Sequence, residues 1–231
     1  MTIKKSENSI VSPISAVIFD MDGTLLDTIE DIADASNRVY VPRGLEPCSI
    51  EEMKSLVGDG AEELIRRVFV SRGKTSPDDT EVAAILREYR REYEACWRAH
   101  SRPYEGIPEL LAELSRRGIK TAVLSNKAQM FTGLMAEELL APHRFDIVRG
   151  SLPGVPLKPD PTPALAIAAE LGVAPAACAF VGDTNVDMTT ARAAGMLAVG
   201  ALWGFRTADE LRANGAAVLI ATPAELLDVI G

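Results

Sequence analysis

A chain of 231 residues, 47% hydrophobic and 25% charged, can bury a full core in one large domain or two small ones. Its formal net charge of −9 argues against nucleic acid or an anionic membrane surface as the main partner. No apolar run approaches the roughly 18 residues that a membrane span needs.

Three scattered cysteines, Cys48, Cys96 and Cys178, form no Cys-x-x-Cys pair and predict idle thiols in a reducing compartment. Residues 1–12 are polar, with Lys4 and Lys5 and no apolar core of signal-peptide length, so the expected location is cytoplasmic.

The first element is Ala16-Val17-Ile18-Phe19, apolar without alternation and β-branched in the middle, which predicts a strand buried on both faces. It stops at Asp20-Met21-Asp22-Gly23-Thr24. Two carboxylates this close repel unless a cation joins them or one is protonated. The ion expected of all-oxygen donors is Mg2+, shared with a substrate phosphate at the strand's carboxyl end. Taken alone, Asp-x-Asp is also a common turn or helix cap.

From 28 to 101 every segment reads as helix. Ile29, Ile32, Ala33, Ser36, Val39 and Tyr40 recur at helical spacing until Pro42 and Gly44. A short helix over 49–57 starts with a capping box, Ser49 and Glu52, and breaks at Gly58-Asp59-Gly60. A third carries Leu64, Ile65, Val68 and Phe69 on one face. A fourth, long and amphipathic, runs to about residue 99. Beyond 102 the pattern alternates: strands over 119–124, 145–148, 178–181, 197–199 and 217–220, with helices over 109–117, 128–140, 162–171, 186–194 and 209–214. Such alternation predicts a parallel sheet with helices on both faces, joined by right-handed crossovers. The all-helical block therefore interrupts the sheet after its first strand. The expected division is a core of 1–27 and 102–231 with an inserted helical domain of 28–101.

Polar residues sit where the predicted strands end. Ser125-Asn126-Lys127 follows the second strand, placing a hydroxyl and a backbone N–H where a phosphate oxygen can meet them, although a plain turn has the same composition. Prolines on both sides of Lys158 stiffen the backbone that carries it, as a point charge for phosphate requires. Asp183 closes the strand over 178–181 and can reach a cation. Asp187 is placed to hold a water of the metal shell, to pair with Lys158, or to complement a helix dipole.

Together these four stretches resemble motifs I to IV of the haloacid dehalogenase superfamily, in order and in strand context, over most of the chain. The block at 28–101 resembles that family's helical cap of the first type. Asp27-Thr28, Val57-Gly58-Asp59-Gly60 leading to Arg66-Arg67, Lys158-Pro159-Asp160-Pro161-Thr162-Pro163 and Trp203-Gly204-Phe205-Arg206 resemble its phosphoglycolate phosphatase branch.

The resemblance implies a Rossmann-like α/β core with an inserted cap and a Mg2+-dependent phosphatase working through an aspartyl-phosphate. Asp20 would be the nucleophile and Asp22 the general acid and base. Ser125, Asn126 and Lys158 would hold the phosphate. Asp20, Asp183 and the Asp22 carbonyl would hold the metal, with Thr24 and Asp187 in support. The substrate would be a small phosphorylated metabolite, 2-phosphoglycolate first. Gly58, Asp59, Gly60, Arg66 and Arg67 are candidates for reading its acidic end, against the plainer reading of a turn and a solvated arginine pair. A β-phosphoglucomutase-like phosphomutase or a pyrophosphatase shares the motifs and is the alternative. A phosphoacceptor receiver domain would be shorter and uncapped, and a binding protein would be expected to have lost a motif.

Overall fold

The computed structural model describes residues 13–231; the polar stretch at 1–12 lies outside the described residues. β1 (Ala16–Phe19) lies at the centre of a six-stranded sheet, with β4 (Lys120–Ala128) and β5 (Ile147–Ser151) on one side. On the other side lie β6 (Cys178–Gly182), β7 (Leu197–Ala201) and β8 (Val218–Ile220). Every pairing in this sheet is parallel. The chain turns back on its strand order between β1 and β6, and ligands of open parallel sheets bind outside the carboxyl ends at such a point.

The two faces of β1 enter different cores, which is why its sequence does not alternate. Val17 and Phe19 pack with α5 (Ile107–Arg116) and α6 (Gln129–Leu139), through Leu110, Leu114, Phe131 and Met135. Ala16 and Ile18 face the opposite layer: α7 (Thr162–Leu171), α8 (Asn185–Ala193) and α9 (Ala208–Ala213). This is an α/β sandwich wound on both sides.

Between β1 and β4 lie four helices: α1 (Ile29–Tyr40), α2 (Ile50–Leu56), α3 (Ala61–Ser71) and α4 (Asp79–Cys96). The predicted capping box of α2 is formed, Ser49 and Glu52 each bonding the other's backbone N–H. The chain enters and leaves the block through a two-stranded antiparallel ribbon, β2 (Leu26–Asp27) with β3 (Arg102–Pro103), which apolar patterning does not show. Asp31, fully buried in α1, ties this exit down: it accepts from the His100 and Ser101 backbone N–H groups and the Ser101 hydroxyl. Asp31→Ala removes the acceptor and strands three donors. The expected cost is about 3 kcal/mol, a fall in melting temperature of roughly 6–12 °C, read by a thermal melt.

Two strand bounds differ from expectation. β4 runs on to Ala128, because its ladder to β5 slips after Leu124 and resumes at Ala128 with Ser151. β5 sits further along than 145–148 and passes through Gly150, where a Cβ would collide with Thr132 and the Lys127 carbonyl. The close approach of α6 demands glycine there, and glycine carries no strand signal. A last helix, α10 (Leu226–Ile230), was not expected; it buries Leu226 and Ile230.

Candidate active site

The carboxyl ends of β4, β1 and β6 lie side by side, so residues distant in sequence meet there. Asp20 extends β1 by one ladder bond, its N–H donating to the Val181 carbonyl at 2.9 Å. The Lys158 ammonium lies 2.8 Å from Asp20 Oδ1 and 2.7 Å from Asp187 Oδ1, and its side chain is 1% exposed. Oxygen atoms of Asp20, Asp183 and Asp187 all fall within 4.8 Å of one another.

Asp183, fully buried, is held from two sides. Its Oδ1 accepts from the Thr24 hydroxyl and its Oδ2 from the Phe205 backbone N–H, both at 2.8 Å. The two loops that reach it do so at Gly23 and Gly204, where a Cβ would collide with the Asp183 side chain; Gly23 also sits at φ 83°. Asp187 combines two of its three expected roles. One oxygen pairs with Lys158, and the other accepts from the Thr184 N–H and hydroxyl, closing a capping box at the start of α8.

The electrostatics call for a further cation. Three buried carboxylates face one buried ammonium. Burial pushes the Asp20 carboxyl up to about 7; Lys158 opposes this, while Asp187 and Asp22 add to it. Burial, then Asp187 and Asp20, push Asp183 upward too. Lys158 is pulled down by burial, but its two carboxylates outweigh this and hold it above the ordinary lysine range. A hard divalent ion among these oxygens would offset the unmatched negative charge, so the donor set fits Mg2+. Among the described residues, Asp20, Asp183 and Asp187 are the carboxylates grouped closely enough to share such an ion.

Ser125 is 4% exposed, and its hydroxyl accepts the Lys127 N–H at 3.2 Å. The Asn126 amide does something its position in sequence did not suggest. Its Oδ1 accepts the Lys158 N–H at 2.9 Å, and its Nδ2 donates to the carbonyls of Lys158 and Gly58. Both amide hydrogens are thus committed to backbone, so Asn126 fixes the base of Lys158 and clasps the 58–60 turn.

Lys127 was not singled out from sequence. Its ammonium sits 2.9 Å from each Asp22 oxygen and 4.6 Å from the centre of the Tyr93 ring, while Thr28 donates to Asp22 Oδ1 at 2.8 Å. Its only sequence signal is adjacency to Ser125-Asn126. A cavity of about 200 Å³ opens above Asp20 and Asp22, between this edge and helices α3 and α4, and includes Gly58, Asp59 and Gly60 in its wall.

Arg66 and Arg67 do not line this cavity. Arg66 is turned to the Pro77 carbonyl and Asp79, and Arg67 to Asp59, Glu63 and the Leu56 carbonyl. Both hold the helical block together, which the plainer reading of an arginine pair comes closer to. The Trp203–Arg206 segment joins the two halves. Trp203 Nε1 donates to the Thr24 carbonyl at 3.0 Å, and Arg206 reaches the carbonyls of Lys54 and Val57 at the end of α2.

The chain also matches known proteins over most of its length. Residues 17–201 match the family described as haloacid dehalogenase-like hydrolases. An N-acetylmuramic acid 6-phosphate phosphatase of Pseudomonas aeruginosa is 32% identical, over 94% of this chain and 95% of its own. A phosphoglycolate phosphatase of Nitrosospira multiformis is 38% identical, over 79% of this chain and 81% of its own. A crystal structure from Lactobacillus delbrueckii subsp. bulgaricus, of a candidate phosphoglycolate phosphatase, superposes with a TM-score of 0.88 at 30% identity. It covers 95% of this chain and 99% of that one.

Proposed function

Because the chain belongs to the haloacid dehalogenase-like hydrolases and is a phosphatase, we propose that it cleaves small phosphate monoesters in two steps through Asp20. The observation that carries this reading is the meeting of Asp20 and Asp183 at adjacent strand ends, with Lys158 brought to Asp20 from the loop before α7. In the first step an Asp20 oxygen bonds to phosphorus as the ester P–O bond breaks, and Asp22 protonates the leaving oxygen. In the second, water attacks the aspartyl-phosphate, Asp22 takes its proton, and Asp20 is freed with release of inorganic phosphate. Lys158, the Ser125 hydroxyl and the Asn126 backbone N–H neutralise phosphoryl oxygens throughout. Mg2+, held by Asp20, Asp183 and the Asp22 carbonyl, would supply charge neutralisation at those same oxygens. Residues 28–101 act as a cap, hinged at the β2–β3 ribbon, that shields the phosphoryl group from bulk water.

For substrate, 2-phosphoglycolate is the first reading, supported by the names of several relatives. A second reading is a phosphorylated amino-sugar acid such as N-acetylmuramic acid 6-phosphate. The name of the Pseudomonas relative supports it, and so does the lining of the cavity by Leu86, Tyr89, Tyr93 and Phe131, apolar side chains that suit a ring better than a two-carbon acid. The three cysteines are free and buried, which supports a cytoplasmic setting. Among the described residues no helix is long and apolar enough to cross a membrane.

A phosphate-release assay with Mg2+ tests this reading. Release is expected from one or both of these esters, falling to roughly 1% or less in excess EDTA and returning with added Mg2+. Conversion of a sugar 1-phosphate to its 6-phosphate without phosphate release would establish a mutase instead, and turnover confined to pyrophosphate would establish a pyrophosphatase.

A further inference from the structure

One face of α4 carries Leu86, Tyr89, Arg90 and Tyr93, the spacing of a single helical stripe, and all four line the cavity. Three of them are what a stripe facing an apolar cavity calls for. Arg90 is a charge set into that stripe. Its neighbours along the helix are paired, Glu88 with Arg43 and Arg91 with Glu92, whereas Arg90 enters no ion pair among the described residues. The acidic residues opposite do not claim it. Asp59 is held by Arg67 at 2.6 Å, and Glu62 stands in the first turn of α3, where the helix dipole already favours a carboxylate.

The cavity therefore offers cations at two depths. Lys127, its side chain 8% exposed, lies at the floor against Asp22. Arg90 lines the same cavity from α4 and is exposed, which puts it toward the solvent side. Resting on the phosphatase reading above, we propose that Arg90 binds a carboxylate at the far end of a monosaccharide-sized phosphate ester, whose ring lies along Tyr89 and Tyr93. An arginine fork is suited to a carboxylate, and aromatic faces to the apolar side of a sugar ring. A two-carbon acid, with its carboxylate next to the phosphate, stays near Lys127 and gains nothing from Arg90. The substrate class is thus a sugar phosphate bearing an acidic substituent remote from the phosphate.

The test compares the natural protein with Arg90→Gln on three esters in Mg2+: a hexosamine 6-phosphate, the same compound carrying a 3-O-lactyl ether, and 2-phosphoglycolate. The natural protein is expected to favour the lactyl ether over the plain sugar phosphate by about tenfold or more in kcat/KM. Arg90→Gln is expected to raise KM for the lactyl ether about tenfold, with kcat and both other esters changed less than about twofold; Arg90→Lys recovers part of the loss. The proposal is overturned by equal losses on all three esters, by no loss on any, or by a natural protein indifferent to the lactyl group. Failure of the natural protein to release phosphate even from p-nitrophenyl phosphate would overturn the phosphatase reading itself, and this proposal with it.

Discussion

Replacing Asp20 by Asn is expected to lower phosphate release by on the order of 10⁴-fold or more, because the amide cannot form the bond to phosphorus. The loss would not come from unfolding. Burial raises the Asp20 carboxyl to about 7 in the folded protein, against an ordinary value near 4. Below about pH 4 the group is neutral folded or unfolded and contributes nothing. Between about pH 4 and 7 the unfolded chain ionises first, so folding loses stability, and above about 7 the whole cost stays in place. The amide escapes this cost while Lys158 keeps Asp187 as its partner at 2.7 Å. Metal-free Asp20→Asn should therefore melt no lower than the natural protein at pH 8. Quenching the natural enzyme in mid-turnover should leave hydroxylamine-labile phosphate on the chain, and none on the variant. An active Asp20→Asn enzyme would remove Asp20 from the chemistry.

The second large effect is at Lys158, where stability and rate fall together but for separable reasons. Lys158→Met leaves Asp20 and Asp187 facing each other in a buried site without their ammonium. Breaking a buried pair in this way costs about 3–5 kcal/mol, a drop on the order of 10 °C for a chain of this size. Turnover should fall about 10³-fold, the loss of one fixed positive charge at the phosphoryl group. Adding Asp187→Asn removes the stranded charge. The double variant is expected to regain most of its melting temperature, measured by calorimetry, and none of its activity. Recovery of both would make Lys158 a purely structural cation, and recovery of neither would locate its stabilising effect elsewhere than in the pair with Asp187.

The sheet was legible because its strands are short apolar runs closed by glycine or by carboxylates, and a strand buried on both faces, such as β1, has no other way to be written. Signals failed where contacts at long range set the structure. β5 passes through Arg149, Gly150 and Ser151, polar or featureless in sequence, because α6 presses on Gly150. Asp20, Ser125 and Asp183 were legible since each stands where an apolar run ends, and Lys158 because prolines flank it. Their partners were not: nothing local says that the Asn126 amide grips Lys158, or that Lys127 holds Asp22 from more than a hundred residues away. In the helical block, Arg66 and Arg67 follow the glycine turn in sequence, but their partners, Asp79, Glu63 and the Pro77 and Leu56 carbonyls, are set by packing that no local pattern shows.

The ribbon of Leu26–Asp27 with Arg102–Pro103 places the entry and exit of the four-helix block side by side. A polymer inserted between two points already in contact adds a closure entropy that grows only with the logarithm of its length. The sheet is therefore nearly indifferent to what is spliced in at this junction. Helical blocks of other lengths could be exchanged here at little entropic cost, with the contacts of Asn126, Lys127 and Arg206 to the block as the part to be remade, so that the block can diverge between lineages while the sheet stays as it is.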